Sequence, residues 1–206
     1  MPIHRTVRSL AIGLALFAPL AAPRPAAAQE AATTTSESAQ REAMQPILWL
    51  VGDWEGEGWI RLGPGEPSTF TIHEHAETAL GDRLIVVEGV GRAAGDGEVD
   101  GEIVHHAFGV LSWDGEQGDY RFSTYRADDT GVDARATVEE GIVTWGFETP
   151  NGQVRYHIRQ TGDGAWRENG EFSPDRGATW MPFFEMTLHR VAEPPAASVD
   201  PAGTDR

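Results

Sequence analysis

The side chains best suited to chemistry in this sequence are three glutamates that lie in otherwise apolar segments. Around Glu74, Glu88 and Glu168 alternate residues are apolar, and by that alternation each glutamate falls on the apolar face of an extended strand. A buried carboxylate is costly unless it is paired. Arg121, which shares one face of another segment with Tyr125, would be a consistent partner. Together these residues predict a polar cluster inside an apolar interior.

The elements that would position this cluster are mainly strands. A short apolar helix is predicted over residues 42–51, where apolar residues recur at helical spacing before a glycine. After it, runs rich in Val, Ile, Thr and aromatic residues alternate with turn-forming clusters. Short turns favour an antiparallel up-and-down meander, which hides its edges best by closing into a barrel. The predicted strands span residues 54–62, 69–80, 83–92, 102–113, 119–126, 132–138, 142–148, 153–161, 165–172 and 179–191.

The inner wall of this barrel is predicted to be aromatic and aliphatic. Trp54, Trp145 and Tyr156 are expected to face the lumen, whereas Ile85 and Val87 leave the register of the third strand open. The polar cluster then has two interpretations: an internal ion network that plugs the barrel, or the polar end of a ligand cavity. Ten strands enclose a wider lumen than the eight that side chains can fill, which slightly favours the cavity.

Composition excludes several classes of function. The chain has 32 acidic and 16 basic residues and a formal charge of -16, so nucleic acid and anionic membranes are unsuitable partners. It contains neither lysine nor cysteine, which excludes lysine Schiff bases, disulfides and cysteine-ligated metals. Beyond the first 28 residues, no apolar stretch is long enough for a membrane helix.

The ends of the chain differ in composition from its centre. Residues 1–28 have a basic start, an apolar run and an alanine-rich site before Gln29, which is the pattern of a cleaved secretory signal. Residues 29–42 and 192–206 are polar or proline-rich and are predicted to be a disordered linker and a disordered tail. The barrel domain is predicted to span residues 43–191, in a protein secreted or exported to the periplasm.

The histidines offer no convincing metal site. His73 and His75 share a strand face, but it lies opposite the apolar one and is expected to be exposed. No cysteine or close carboxylate completes a ligand set with them. His105 and His106 are adjacent, so only one of them can face the interior. No metal is therefore expected.

The segment SPDRGATW at residues 173–180 is the one local motif with a recognisable pattern. It matches the Asp-box, S-x-D-x-G-x-T-W, in which the Ser and Asp side chains hold a turn and the Trp packs beneath it. A single copy predicts a structural role rather than a propeller. The chain carries no nucleophile elbow, phosphate loop or dinucleotide fingerprint, so no catalytic residue is assigned.

The order of several motifs resembles that of calycin-like (lipocalin-like) barrels, which include fatty-acid-binding-protein-like and nitrobindin-like proteins. The chain is most similar to the DUF1579 group of bacterial proteins. This resemblance covers about residues 45–191 and implies a ten-stranded barrel and small-molecule binding. Nitrobindin-like members hold haem through a late-strand histidine, but here His157 and His189 fall opposite the apolar face. The motifs are LVGDWEGEG at 50–58, LGDR at 80–83, FGVLSWD at 108–114, GDYRF at 118–122 and FEMTLHR at 184–190.

These observations predict an all-β protein, a ten-stranded antiparallel calycin-like barrel with a short N-terminal helix, which binds a small, largely apolar molecule in its interior. No cofactor is expected. Two alternatives remain open: a haem-binding nitrobindin-like protein, and an enzyme that acts on a hydrophobic substrate through the interior Glu and Arg cluster. The predicted ligand-binding residues are Trp54, Glu74, Glu88, Arg121, Tyr125, Trp145, Tyr156 and Glu168.

Overall fold

The computed structural model describes residues 36–94 and 101–191. Residues 36–44 form an α-helix that continues directly into a 3-10 helix, Gln45–Leu50. Ten strands follow in the described residues, close to the predicted boundaries. They are β1 (Gly52–Ile60), β2 (Ser68–Ala79), β3 (Leu84–Ala93), β4 (Ile103–Asp114), β5 (Asp119–Arg126), β6 (Gly131–Glu139), β7 (Ile142–Thr149), β8 (Gly152–Gln160), β9 (Trp166–Ser173) and β10 (Met181–Arg190).

The strands form one closed antiparallel barrel. Each strand pairs with its neighbours in the sequence, and β1 closes the circle by pairing with β10, from Trp54 opposite Arg190 to Ile60 opposite Phe184. Closure removes the exposed strand edges that an open sheet would leave. The predicted all-β, ten-stranded up-and-down barrel with a short N-terminal helix is confirmed. No helix in residues 36–94 or 101–191 has the length and apolarity to span a membrane.

The N-terminal helix closes one end of the barrel. Met44, Ile47 and Leu50 are buried on its inner side. Below it, the rings of Trp54 and Trp166 meet edge-to-face at a centroid distance of 5.8 Å, and the Trp54 indole donates a hydrogen bond to the Leu50 carbonyl at 2.7 Å. Ring pairs in this geometry add to the free energy of burial. This apolar floor defines the closed end of the barrel.

The helix begins earlier than the composition indicates. Residues 36–42, which were predicted to belong to a linker, are helical, and they contact the barrel. Glu37 forms a salt bridge with Arg83 at 2.8 Å, and the Tyr120 hydroxyl donates a hydrogen bond to the Ala43 carbonyl. These partners are distant in sequence, so helix propensity alone does not reveal them. The predicted signal, residues 29–35 of the linker and the predicted tail lie outside the described residues.

Alternation of burial confirms the inner face of β2 and corrects that of β3. On β2, Phe70, Ile72, Glu74 and Ala76 are all buried, with exposed residues between them. The same alternation predicted Glu88 on the inner face of β3. The structure instead buries the residues of the other parity, Ile85, Gly89 and Gly91, and leaves Glu88 exposed. Apolar residues on both faces of β3 made the two registers equivalent in the sequence.

The Asp-box holds the turn between β9 and β10. Ser173 is fully buried, and its hydroxyl accepts a hydrogen bond from the Gly177 amide at 2.6 Å. The Asp175 carboxylate accepts hydrogen bonds from the Thr179 amide at 2.8 Å and from the Thr179 hydroxyl at 2.6 Å. These bonds, with one from Ser173, lower the pKa of Asp175 to about 2. The motif therefore stabilises the turn of a hairpin through hydrogen bonds to its backbone.

Candidate functional site

The barrel lumen is closed at the helix end, and its inner residues become more exposed toward the other end. Inner residues near the helix, such as Leu188 and Val143, are fully buried. Inner residues in the opposite half keep part of their surface accessible, although their strands are paired on both sides. Such residual exposure inside a closed barrel indicates space that reaches solvent through the open end. The partly exposed inner residues are Phe122, Thr124, Val132, Trp145, Phe147, Val154, Tyr156 and Phe184.

Aromatic rings from neighbouring strands form the wall of this space. Trp145 stacks on Tyr156 at a centroid distance of 4.5 Å and meets Phe122 edge-to-face at 4.8 Å. Tyr156 also meets Phe184 edge-to-face at 5.9 Å. Gly170 lies between them in the sheet, and a Cβ atom there would approach Tyr156 and Phe184 to 2.9 Å. Because glycine has no side chain, the rings of Tyr156 and Phe184 can pack against each other across β9. The aromatic wall is therefore continuous.

Glu74 and Glu168 place two carboxyl groups in the same apolar lumen. They are 7% and 9% exposed, and no other charged side chain of the described residues is buried. Glu168 lies beside Met186 of β10 and Ile158 of β8 in the sheet. The Glu74 carboxylate lies over Gly89, where a Cβ atom would collide with it. Glycine at this position therefore makes the room that the carboxylate occupies.

Burial sets the electrostatics of this pair. It raises the pKa of each carboxyl group to about 8, and for Glu74 repulsion from Glu168 acts in the same direction. No hydrogen bond or cationic partner from the described residues stabilises either charged form. At neutral pH both groups of the free protein are therefore largely protonated. Carboxyl groups with such values are characteristic of functional sites.

Further polar groups surround the pair. Burial and the nearby charge of Glu168 raise the pKa of Tyr156, which places its hydroxyl close to that carboxyl group. Arg126, at the end of β5, reaches the open rim, where it is ion-paired with Asp128 at 3.1 Å. His105 also faces inward near this rim, and burial and the charge of Arg126 lower its pKa. The deep end of the lumen thus holds two carboxyl groups, whereas its mouth holds His105 and the ion pair of Arg126 with Asp128.

Two indole N–H groups in the same wall have no partner. The Nε1 atoms of Trp145 and Trp166 are buried and make no hydrogen bond within the described residues. A buried donor without an acceptor costs about 1–3 kcal/mol. Trp166 lies two residues before Glu168 on the inner face of β9. Unsatisfied donors beside unpaired carboxyl groups are expected where a ligand or water completes the network.

The structure brings together five of the eight predicted ligand-binding residues. Trp54, Glu74, Trp145, Tyr156 and Glu168 all lie on the inner face, with Trp54 in the floor and the other four above it. Their part in binding a ligand stays a prediction.

Glu88, Arg121 and Tyr125 lie instead on the outer face, which corrects their predicted location. Glu88 pairs with His106 at 2.8 Å. The Arg121 guanidinium donates a hydrogen bond to Asp133 at 2.7 Å and thereby lowers the pKa of Asp133 to about 2. Burial of Tyr120 against the helix and Trp113 fixes the register of β5, so Arg121 and Tyr125 point outward. The interior Glu and Arg cluster is therefore not formed.

Replacement of Arg121 by alanine is expected to affect neither the cavity nor the stability appreciably. The side chain is exposed and its partner Asp133 is also exposed, and surface ion pairs contribute little to stability. We expect affinity for a lumen probe to change by less than about twofold and the melting temperature to change little. Probe titration and thermal melting of Arg121→Ala check this. A loss of binding with normal melting would show that Arg121 acts on the lumen.

Sequence reasoning missed the inward orientation of His105 and the importance of Gly89. Gly109 and Leu111 are buried on β4, and the two-residue period extends their face to His105. Gly91, opposite His105, would bring an added Cβ atom within 3.1 Å of the His105 Cβ atom, which confirms that both face inward. An alternating reading of β4 could have found His105. The role of Gly89 could be recognised only from its pairing with Glu74 in the sheet.

The other histidines of the described residues lie on the outer face. His75 contacts the Asp53 carboxylate at 2.7 Å and His73 lies 3.7 Å from it, and both are exposed. His157 contacts Thr144 at 3.0 Å, and His189 is exposed. Within residues 36–94 and 101–191 no group of three or more His, Cys, Asp or Glu side chains is arranged to hold a metal ion.

Comparison with known proteins identifies similar folds but no matching family. No family model matches the chain, and no curated protein matches it. Among solved structures, Rv2717c from M. tuberculosis is similar, with a TM-score of 0.52, 15% identity, and coverage of 74% of this chain and 98% of that one. The S-type phycobiliprotein lyase CPES from Guillardia theta is also similar, with a TM-score of 0.51, 11% identity, and coverage of 77% and 98%. At these identities the likeness shows the fold alone, and the fold of this chain is a ten-stranded, calycin-like β-barrel.

Proposed function

We propose that this protein binds a small, largely apolar molecule in the lumen, which enters through the end opposite the helix. The observation that carries the proposal is the partial exposure of inner-facing aromatic residues in a barrel whose strands are all paired. Apolar walls with a few fixed polar groups are what ligand pockets need. Ligand sites occur preferentially in places such as the mouths of β-barrels, which is the fold that this chain shares with its structural neighbours.

The polar end of the site is the pair Glu74 and Glu168. An internal ion network that plugs the barrel would need a cation beside these carboxyl groups, and Arg121 lies on the outer face. Because the two carboxyl groups are buried without a partner among the described residues, they remain available to bind a polar group of a ligand. The ligand cavity is therefore the better of the two interpretations that the sequence left open.

A neutral apolar dye, N-phenyl-1-naphthylamine, tests the proposed function. Its fluorescence is expected to rise on binding with saturation at one equivalent, because the dye leaves water for the aromatic wall. Val132→Trp, on the inner face near the open end, should lower its affinity by about tenfold or more because the added ring fills space that the dye needs. Fluorescence titration of both proteins measures this.

Thr137→Trp provides the matched control, since Thr137 is exposed on the outer face of the same strand. It should leave dye affinity unchanged within about twofold, because surface substitutions away from a site have small effects. Failure of the unmodified protein to bind the dye, or equal losses in both variants, would contradict a lumen site.

Haem binding is a second candidate because His105 faces the lumen. Its lowered pKa favours the neutral imidazole that coordinates a metal. His157 and His189, by contrast, lie on the outer face, as predicted. A sharp Soret band at one equivalent of haem, lost in His105→Ala and retained in His157→Ala, would establish this function. Scattered, non-stoichiometric absorbance changes would rule out haem binding.

We also propose that the protein acts outside the cytoplasm, which intact-mass analysis for a chain beginning near Gln29 would test.

A further inference from the structure

We propose that the ligand of the lumen is an apolar amine, whose ammonium group binds between the carboxyl groups of Glu74 and Glu168 at the deep end. This inference rests on the proposed function and assigns it a class of ligand. Both side chains are more than nine-tenths buried and face the lumen, and neither has a hydrogen-bond partner or cation within the described residues. An ammonium group in this apolar cavity can be neutralised by ionisation of one of the two acids, which leaves a compensated ion pair rather than an isolated buried charge.

The cationic side chain of the lumen lies at its rim, away from Glu74 and Glu168. Arg126 is the cation whose charge reaches inner groups, acting on Tyr156 and His105, and it lies at the rim in an ion pair with Asp128. The causes that set the pKa values of Glu74 and Glu168 include no cationic neighbour. A ligand carboxylate at the deep end would therefore stay a buried anion with no cation to compensate its charge. An ammonium group there gains charge-assisted hydrogen bonds instead.

The surroundings of the pair favour an organic cation over a metal ion. Hard metal ions need about six oxygen ligands, whereas here Met186, Ile158 and Trp54 flank the two carboxyl groups. Above the pair, the stacked rings of Trp145 and Tyr156 and the ring of Phe184 offer an apolar surface. Aromatic faces also attract organic cations. The site thus fits an aromatic or aliphatic body that ends in an amine.

The unpaired indole next to the pair is a second, independent observation that points to a binding site here. Trp166 is almost completely buried, and its N–H group has no acceptor in the described residues. It lies two residues from Glu168 on the same face of β9. The Glu168 oxygens accept no hydrogen bond from this N–H group, so the deep end presents an unpaired donor as well as two carboxyl groups.

Binding of an amine has a proton balance that binding of a neutral molecule lacks. At pH 7 both carboxyl groups of the free protein carry their protons, and the amine in solution is an ammonium ion. The bound state pairs this ammonium ion with one carboxylate, because a nearby opposite charge favours ionisation. About one proton is thus released to the buffer for each amine bound. A neutral ligand releases none.

The experiment compares three ligands that share one ring system: 1-naphthylmethylamine, 1-naphthalenemethanol and 1-naphthoic acid. Isothermal titration at pH 7 is expected to show the amine binding at least about tenfold tighter than the alcohol, because its hydrogen bonds are charge-assisted. The acid should bind most weakly of the three. Titrations in two buffers of different ionisation enthalpy should give the release of about one proton for the amine alone.

Glu168→Gln and Glu74→Gln test the assignment residue by residue. Each keeps the shape of the side chain and removes its charge, so each should abolish most of the amine preference and leave alcohol binding within about twofold. Glu88→Gln is the matched control, because Glu88 is an exposed glutamate on the outer face with His106 as partner. It should retain the full preference, which separates the lumen from attraction of cations to an acidic surface.

The outcomes distinguish this inference from the function on which it rests. If the alcohol binds and the amine binds no tighter and releases no proton, the inference is overturned and the apolar-ligand function stands. Equal amine preference in the Glu74, Glu168 and Glu88 variants would also overturn it, since the cation would then bind elsewhere. If none of the three ligands binds, the proposed function itself fails.

Discussion

Stability of the ligand-free protein is expected to fall as the pH rises from about 5 to about 9, and glutamine at Glu74 or Glu168 should remove much of this fall. Both carboxyl groups have their pKa raised to about 8 in the folded protein, chiefly by burial. In the unfolded chain they ionise near pH 4.5. One pKa unit corresponds to about 1.4 kcal/mol, so the rise from 4.5 to about 8 corresponds to a loss on the order of 5 kcal/mol for each group.

The direction follows from the protons bound in each state. Between the two pKa values the folded protein holds these protons and the unfolded chain has lost them, so the free energy of unfolding decreases with pH. The contribution is fully present below about pH 4.5 and is lost as the pH rises through about 8. This is the reverse of the usual behaviour of a salt-bridged carboxylate, which loses its contribution as the pH falls.

Urea unfolding at pH 6 and pH 9 measures the effect. The unmodified protein and Glu88→Gln should show the same decrease, because Glu88 is exposed on the outer face, away from the buried pair. Glu168→Gln and Glu74→Gln should each show a smaller decrease and should be more stable than the unmodified protein at pH 9. A decrease that is equal in all four proteins would show that the buried pair does not govern it.

Replacement of Trp54 by alanine is expected to cost about 3–5 kcal/mol of stability, the range for deletion of a large aromatic side chain from a core. Trp54 is completely buried, and its ring meets Trp49 and Trp166 edge-to-face. The change also removes the hydrogen bond to the Leu50 carbonyl, which is buried. The helix would lose its main contact with the barrel floor. Urea unfolding and thermal melting measure the loss, with a fall in melting temperature of roughly 10 °C.

Trp59→Ala is the matched control on the same strand. Trp59 is only half-buried and lies on the outer face, with Arg61 at 5.9 Å from its ring centroid. Its loss should cost about 1 kcal/mol or less, as surface substitutions generally do. Similar losses in the two variants would mean that the aromatic floor contributes no more than an outer-face tryptophan.

The succession of strands follows from the sequence because turn residues and apolar runs are local signals. On β2 the exposed face carries Thr71, His73 and His75, so alternation had one solution and located Glu74 inside. On β3 apolar residues occupy both faces, and half-buried Val86 and Val90 show that the outer face is apolar as well. The two-residue alternation of apolar side chains therefore could not distinguish the two registers of β3.

The location of the acids was predictable in part, but the absence of a cation beside them was not. The sequence predicted that an arginine neutralises the glutamates, because a buried charge needs a partner. The structure resolves that need differently: the carboxyl groups retain their protons, as their pKa of about 8 shows. Arg121 follows the register of β5, which is set when Tyr120 packs against Trp113 and the helix. That packing joins residues far apart in the chain.

The two described ends of the barrel chain meet on one side of the molecule. The backbone amide of Val191 donates a hydrogen bond to the Asp53 carbonyl at 2.8 Å, and Arg190 donates hydrogen bonds to the carbonyls of Val51 and Trp49. Residue 191 and the helix that precedes β1 therefore both lie at the closed end. A tag, a surface attachment or a second protein fused through either flank would therefore join the barrel on its floor side, and the opposite end would point away from the tether.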